Sequence, residues 1–249
     1  MKTTGLDRVG LIVNSERLLT QPQATQFADL VHRRRRGEPI AYLIGRREFW
    51  SLNLEVTPDV LIPRPATETL VDWVLGRIDP GATTRILDLG SGSGNISLAI
   101  ARARPNCNIV GIDSSPASIE VARSNSRRLN INNAQFLQGN WFEPLRSTTR
   151  FEIIVSNPPY IAELDPHLSC GDVTYEPRSA LVSGADGLDD LGYIIAQASD
   201  YLVKGGALAV EHGYNQGSAV RALFDSGNFT TITTLLDLDG NERVTWGIG

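Results

Sequence analysis

Cysteine is scarce. The 249 residues hold two, Cys107 and Cys170. They form neither a C-x-x-C pair nor a disulfide framework, which points to a reducing compartment. Histidine is almost as rare, and His32, His167 and His212 lack ligand spacing to Cys or to each other. No structural or catalytic metal is expected. No run of about 18 apolar residues occurs, and the N-terminus lacks the apolar centre of a signal peptide. These absences predict a cytoplasmic protein with no membrane partner. An excess of positive charge is missing too: 23 Lys and Arg stand against 28 Asp and Glu, a net charge of −5. The whole chain therefore lacks the field expected of a direct nucleic-acid binder. Internal repeats and low-complexity tracts are absent. The length suffices for one large or two modest domains with ample core.

What is present divides the chain. Leu6, Val9, Leu11, Ile12 and Val13 suit a short helix or a packing strip. Thr20-Gln21-Pro22-Gln23 has capping-box spacing with Pro in the first turn. Ala24, Phe27, Leu30 and Val31 then recur at helical intervals. Arg33-Arg34-Arg35-Arg36 fill the last turn, where cations suit the helix dipole, and Gly37 and Pro39 end the helix. A second use for the arginines is docking an acidic or RNA-containing partner. Alternation in Leu52, Leu54 and Val56 predicts a half-buried strand. Residues 45–48 read as a turn before it, and Val60-Leu61-Ile62 as the second strand of a hairpin. The predicted organisation is a short helical N-terminal segment (1–37), a β-hairpin linker (38–66) and a main domain (67–249).

The main domain opens with a helix at about 67–77. Strands and helices then alternate, the pattern of a doubly wound α/β sheet. Strands are predicted at 85–89, 108–113, 134–138, 151–155, 207–212, 229–236 and 243–248. Helices are predicted at 95–104, from Pro116, at 188–203 and at 216–226. The last two strands are linked by too few residues for a parallel crossover, so they pair as an antiparallel hairpin. Seven strands with the last reversed resembles the Rossmann-like fold of class I S-adenosylmethionine-dependent methyltransferases.

Two stretches carry chemistry. Gly90-Ser91-Gly92-Ser93-Gly94 leaves a strand and opens a helix, where glycines let backbone N–H groups approach a ligand. Asp88 precedes it, and Asp113 ends the next strand, where a carboxylate can accept ribose hydroxyls. Alone, a glycine turn is weak and a strand-end Asp is often a cap; together they predict a nucleoside cofactor. The G-x-G-x-G spacing, Asp88 and the reversed strand favour S-adenosylmethionine over NAD. Trp141, in Asn140-Trp141-Phe142, is placed to stack on adenine or else to close the core.

The second stretch is Ser156-Asn157-Pro158-Pro159-Tyr160. Two prolines stop the strand at once and hold Asn157 and Tyr160 at its C-terminal end, where open α/β sheets bind ligands. The Asn157 amide and the Pro158 carbonyl suit a planar NH2 group, with Tyr160 over its flat face. The plain alternative is a turn in which Asn caps and Tyr packs. Residues 162–190 have little periodicity, and loops of that length are usually functional; Glu176 and Pro177 are candidate contacts there.

Gly37-Glu38-Pro39-Ile40-Ala41-Tyr42-Leu43-Ile44-Gly45, Arg47-Glu48-Phe49-Trp50, Leu61-Ile62-Pro63-Arg64-Pro65, 156–161, 172–177 and Gly240-Asn241-Glu242-Arg243-Val244 resemble the HemK/PrmC family. These are protein-(glutamine-N5) methyltransferases that modify the Gly-Gly-Gln motif of peptide chain release factors. The resemblance runs from about Thr20 to the C-terminus. It implies S-adenosylmethionine bound by Gly90, Ser91, Gly92, Ser93, Gly94, Asp113, Trp141 and Asn157. It implies that Asn157 and Pro158 accept the two amide hydrogens, with Pro159 and Tyr160 completing the substrate grip. A monomer is expected. Two departures stand out. Ala66 replaces the usual acidic residue. The segment before the hairpin supplies only the last part of the family's N-terminal domain, so either the chain begins late or its hold on a partner is reduced. The rivals are an adenine-amine methyltransferase on DNA or RNA, which shares Asn-Pro-Pro-Tyr, and a non-catalytic cofactor-binding protein. A nicotinamide oxidoreductase is the most remote.

Overall fold

The structure, a computed structural model, describes residues 2–249. The N-terminal part holds α1 (Arg8–Val13), α2 (Gln21–Arg35) and α3 (Ile40–Ile44). The Gln23 side chain accepts from the Thr20 amide at 3.0 Å, closing the start of α2. Yet α2 buries no residue: Phe27 is 53% exposed and Val31 41%. Of the apolar stripe expected to pack, Phe27 and Val31 face outward, while Ala24 and Leu30 are half-buried. At the other end of α2, Arg33 pairs with Glu38 and Arg34 with Asp172, so part of the arginine run is bound within the chain.

The linker differs from its predicted form. Its hairpin is β1 (Arg46–Phe49) against β2 (Leu52–Glu55), joined by Trp50 and Ser51, both with positive φ. Residues 46–48 form a strand despite being polar because both faces of that end are exposed. Val60 and Ile62 are buried but belong to no strand. Prolines 58 and 63 bracket them, and a proline has no amide to give a ladder. Helix α3 was not anticipated. Its Ala41 and Tyr42 pack with Val56, Val60, Ile62 and Val121, which fastens the linker to the main domain.

The main domain begins with a 3-10 turn at Pro65–Thr67 and α4 (Glu68–Arg77). Then follow β3 (Arg85–Leu89), α5 (Asn95–Ala103), β4 (Asn108–Asp113), α6 (Pro116–Leu129), β5 (Ala134–Gln138) and β6 (Phe151–Ser156). The chain ends with α7 (Asp189–Ala198), β7 (Leu202–Glu211), α8 (Gly217–Ser226), β8 (Thr230–Leu236) and β9 (Glu242–Ile248). The predicted helix at 188–203 stops early, and β7 starts five residues before its predicted position, running through Gly205 and Gly206. Glycines weaken a strand signal without forbidding the strand.

Seven strands form one sheet in the order β5-β4-β3-β6-β7-β9-β8. The first five are mutually parallel, and β9 is antiparallel to both β7 and β8. Two apolar clusters cover the two faces. Leu70, Val74, Leu98 and Ile100 are at the centre of one, and Ile154, Leu191, Ile194 and Phe224 of the other. After β5 the chain crosses back to lie on the other side of β3. That reversal opens a crevice beyond the carboxyl ends of β3 and β6, the usual ligand position in such sheets. The Ser156 hydroxyl donates to the Leu89 carbonyl at 2.8 Å, which locks the two strand ends side by side. The glycine turn and Asn157 leave from those ends.

Candidate active site

One cavity brings the two predicted stretches together. Gly90, Gly92, Ser93, Asp113, Trp141 and Asn157 all line it. Gly90 has φ +73, and a Cβ there would come 3.5 Å from the Trp141 ring and 3.7 Å from the Asn157 carbonyl oxygen. Those are ordinary contact distances, so it is the left-handed backbone that calls for glycine here. Ser91 and Gly94 belong to the turn but are absent from the cavity wall. A Cβ on Gly94 would meet Phe136 at 3.0 Å, so that glycine serves packing of α5 on the sheet. The hydroxyls of Ser91 and Ser93 are buried without a hydrogen-bond partner in the described residues.

Asp113 is held rigidly at the crevice. Its Oδ2 accepts from the Gly92 amide at 2.8 Å and its Oδ1 from the Ser115 amide at 2.9 Å. Each oxygen keeps further acceptor capacity for a hydroxyl. Burial pushes its pKa up, against the pull of those amide bonds.

Asp88 lies beneath the turn and is wholly buried. Burial raises its carboxyl to about 6 from the ordinary 3.8, although the Ser97 amide and hydroxyl both donate to Oδ2. The folded state therefore holds a proton that the unfolded chain releases, and the charged form costs stability above about 6. That cost is relieved as pH falls through the folded pKa. In urea melts the wild type is expected to gain stability relative to Asp88→Asn between about pH 7 and about pH 5. A difference that stays constant with pH would show that Asp88 does not titrate in this range.

Around Asn157 the structure adds residues that sequence reasoning missed. The Asn157 Nδ2 donates to the Thr67 hydroxyl oxygen at 3.2 Å. The Tyr160 hydroxyl donates to Glu211 Oε1 at 3.2 Å. Pro159 lines the cavity, while Pro158 is buried and, like Tyr160, stands outside the lining. Burial beside the Glu211 carboxylate drives the Tyr160 phenol well above its usual range, so it stays protonated. Gln216 Nε2 donates to the Tyr160 carbonyl at 3.0 Å, and its Oε1 accepts from Gly213.

The aperiodic stretch after Tyr160 folds as a wall of three short 3-10 turns. Pro177, Ser179 and Ala180 face the cavity. Glu176 does not: its side chain is fully buried against Arg64 and accepts from the Ile62 amide at 3.3 Å. It clamps the wall to the linker. Tyr175 adds a bond to the Arg36 carbonyl at 2.6 Å.

A family profile described as a methyltransferase domain matches residues 80–234, and one described as the PrmC N-terminal domain matches residues 1–45. The release factor glutamine methyltransferase of Salmonella typhimurium is 51% identical over 98% of this chain and 87% of its own length. Those of Vibrio cholerae and Escherichia coli are 49% and 48% identical, over 95% and 98% of this chain and 82% and 87% of theirs. The chain belongs to the release factor glutamine methyltransferase family.

Solved structures agree on the fold. A Pyrococcus furiosus methyltransferase superposes with a TM-score of 0.59 at 16% identity, covering 89% of this chain and 98% of that one. A Thermus thermophilus 16S rRNA N2 G1207 methyltransferase, solved with AdoMet and guanosine, gives 0.60 at 21% identity, over 82% of this chain and 49% of that one. The fold is that of the class I methyltransferases, and the Thermus thermophilus neighbour was solved with S-adenosylmethionine. The chain's own residues fit it. The glycine turn leaves room at Gly92, where a Cβ would meet nothing within 4 Å, and Asp113 offers acceptors. No helix among the described residues is long and apolar enough to cross a membrane.

Proposed function

We propose that this chain methylates the glutamine side-chain nitrogen of the Gly-Gly-Gln motif in a peptide chain release factor, with Asn157 as the residue that grips the amide. The observation behind this reading is the shared cavity: Asn157 faces the space bounded by Gly90, Gly92 and Asp113. S-adenosylmethionine, when bound, supplies a methyl group already activated as a sulfonium. A carboxamide nitrogen is a poor nucleophile, since its lone pair is delocalised into the carbonyl. The protein's part is therefore alignment and electrostatics. Asn157 Oδ1 and the Pro158 carbonyl accept the amide hydrogens, which become more acidic as the nitrogen turns cationic. Pro158 and Pro159 fix the backbone that carries both acceptors. Tyr160 closes the substrate side from a position anchored at Glu211. Trp141, which lines the cavity, would stack on the adenine. Such a substrate and the sparse, unpaired cysteines fit a cytoplasmic setting.

The test is direct. The protein is incubated with labelled S-adenosylmethionine and a purified release factor, and the modified peptide is mapped by mass spectrometry. The methyl group is expected on the glutamine of the Gly-Gly-Gln motif and absent from an added oligonucleotide. Label on the oligonucleotide, or on a different residue, would overturn the reading.

A further inference from the structure

A carboxamide has two ends of nearly equal size and opposite hydrogen-bonding sense. Rotating the Asn157 amide by half a turn would leave its shape in the cavity unchanged and present NH2 to the substrate's NH2. Something must choose between the two orientations. The structure assigns that choice to Thr67, a positioning residue whose hydroxyl is in turn oriented by Glu211. This inference rests on the reading that Asn157 grips the substrate amide.

The geometry comes from three elements far apart in sequence. Thr67 closes the 3-10 turn before α4 and is 0% exposed. Glu211 ends β7 and is 1% exposed. Asn157 follows β6. Asn157 Nδ2 stands 3.2 Å from the Thr67 oxygen, and Thr67 lies against the buried Glu211 carboxylate, favouring its charged form. The Tyr160 hydroxyl sits on Glu211 Oε1. Oε2 is buried and makes no hydrogen bond among the described residues. Glu211 is thus an acceptor short of donors.

The chemistry of each group then fixes the direction of the chain. A carboxylate only accepts, so the single Thr67 proton is drawn to Glu211. The Thr67 lone pairs are left facing Asn157, and only the NH2 end of the amide can meet them. Oδ1 is turned to the cavity, where an acceptor is needed. Flipping the amide would set Oδ1 against the Thr67 lone pairs and leave a buried acceptor without a donor, which is the costly arrangement. Helix α4, which follows directly on Thr67, is held at its far end by the Arg77 guanidinium, 3.8 Å from the Trp246 ring and 4.7 Å from the Trp73 ring.

Thr67→Val keeps the shape and removes the hydroxyl; Thr67→Ser keeps the hydroxyl. Steady-state kinetics are measured with a purified release factor, and S-adenosylmethionine affinity by calorimetry. Thr67→Val is expected to lower kcat by about 10-fold, in line with the loss of one oriented hydrogen bond. KM and cofactor Kd are expected to stay within about 2-fold, since the interaction removed matters only once the amide is being methylated. Thr67→Ser is expected to restore kcat. Thr67→Ala also lacks the hydroxyl and gives the same loss where the valine methyl cannot be accommodated. Wild-type kcat in Thr67→Val, or a loss that serine does not restore, overturns the assignment. Asn157→Ala separates the two ideas. If it is inactive while Thr67→Val is unimpaired, the grip stands and the orienting role falls; if it turns over normally, the grip itself is wrong.

Discussion

Asn157→Ala is expected to lose about 10²–10³ in kcat, the range seen when one preorganised hydrogen-bonding side chain is removed from a polar transition state. The loss arises because Oδ1 would accept a hydrogen whose acidity grows as the glutamine nitrogen turns cationic. An interaction that strengthens along the reaction raises kcat; one of constant strength changes only KM. The substitution has little reason to unfold the chain. Asn157 is only half-buried, two prolines follow it, and the strand before it is held by the Ser156–Leu89 bond. Cofactor affinity is expected to weaken only modestly, because Gly90, Gly92 and Asp113 keep their positions. Single-turnover rates at saturating release factor, with cofactor Kd measured separately, decide it. Near-normal turnover would remove Asn157 from the reaction.

Why Asn157 and the glycine turn were visible in the sequence, while their supports were not, follows from sequence distance. Gly90 to Gly94 sit directly between a strand and a helix, and Pro158 and Pro159 directly after a strand. Each announces its geometry through its neighbours. Thr67, Glu211 and Gln216 meet the Asn157–Tyr160 segment only through tertiary structure, from 90, 51 and 56 positions away in sequence. No periodicity links them. The antiparallel pairing of β8 and β9 was legible because the link between them is too short for a crossover. The hairpin register was misread for a local reason. Its turn is made by Trp50 and Ser51 at positive φ, where hairpin turns favour Asn-Gly or Asp-Gly. The hydrophobic pair Val60 and Ile62 looked like a strand because burial alone was read as pairing. Glu176 was read as a substrate contact for its place in an aperiodic loop, yet its buried bond to Arg64 makes it part of the wall's frame.

Gly187→Ala is expected to cost about 10²-fold in kcat, although Gly187 is not among the residues lining the cavity. Gly187 has φ +80, and an added Cβ would stand 2.2 Å from the Tyr160 carbonyl oxygen and 2.8 Å from Gln216 Nε2. The backbone conformation alone disfavours alanine by roughly 1–2 kcal/mol. The overlap with a carbonyl oxygen is more serious, since that atom cannot rotate aside as a side chain would. The Tyr160 carbonyl must move, and the Gln216 bond that holds it at 3.0 Å is lost. Between Tyr160 and Asn157 lie only two prolines, whose fixed φ angles leave little freedom to absorb the shift. The displacement therefore passes to the gripping amide, where misplacement by about 1 Å is enough for a loss of this size. Gly81→Ala is the control. An added Cβ there meets nothing within 4 Å, and its φ lies outside the left-handed region. Thermal melts and initial rates of the two variants, measured side by side, separate a general glycine effect from a local one. A Gly187→Ala enzyme with wild-type kcat would mean that the proline-locked corner moves independently of the loop packed against it.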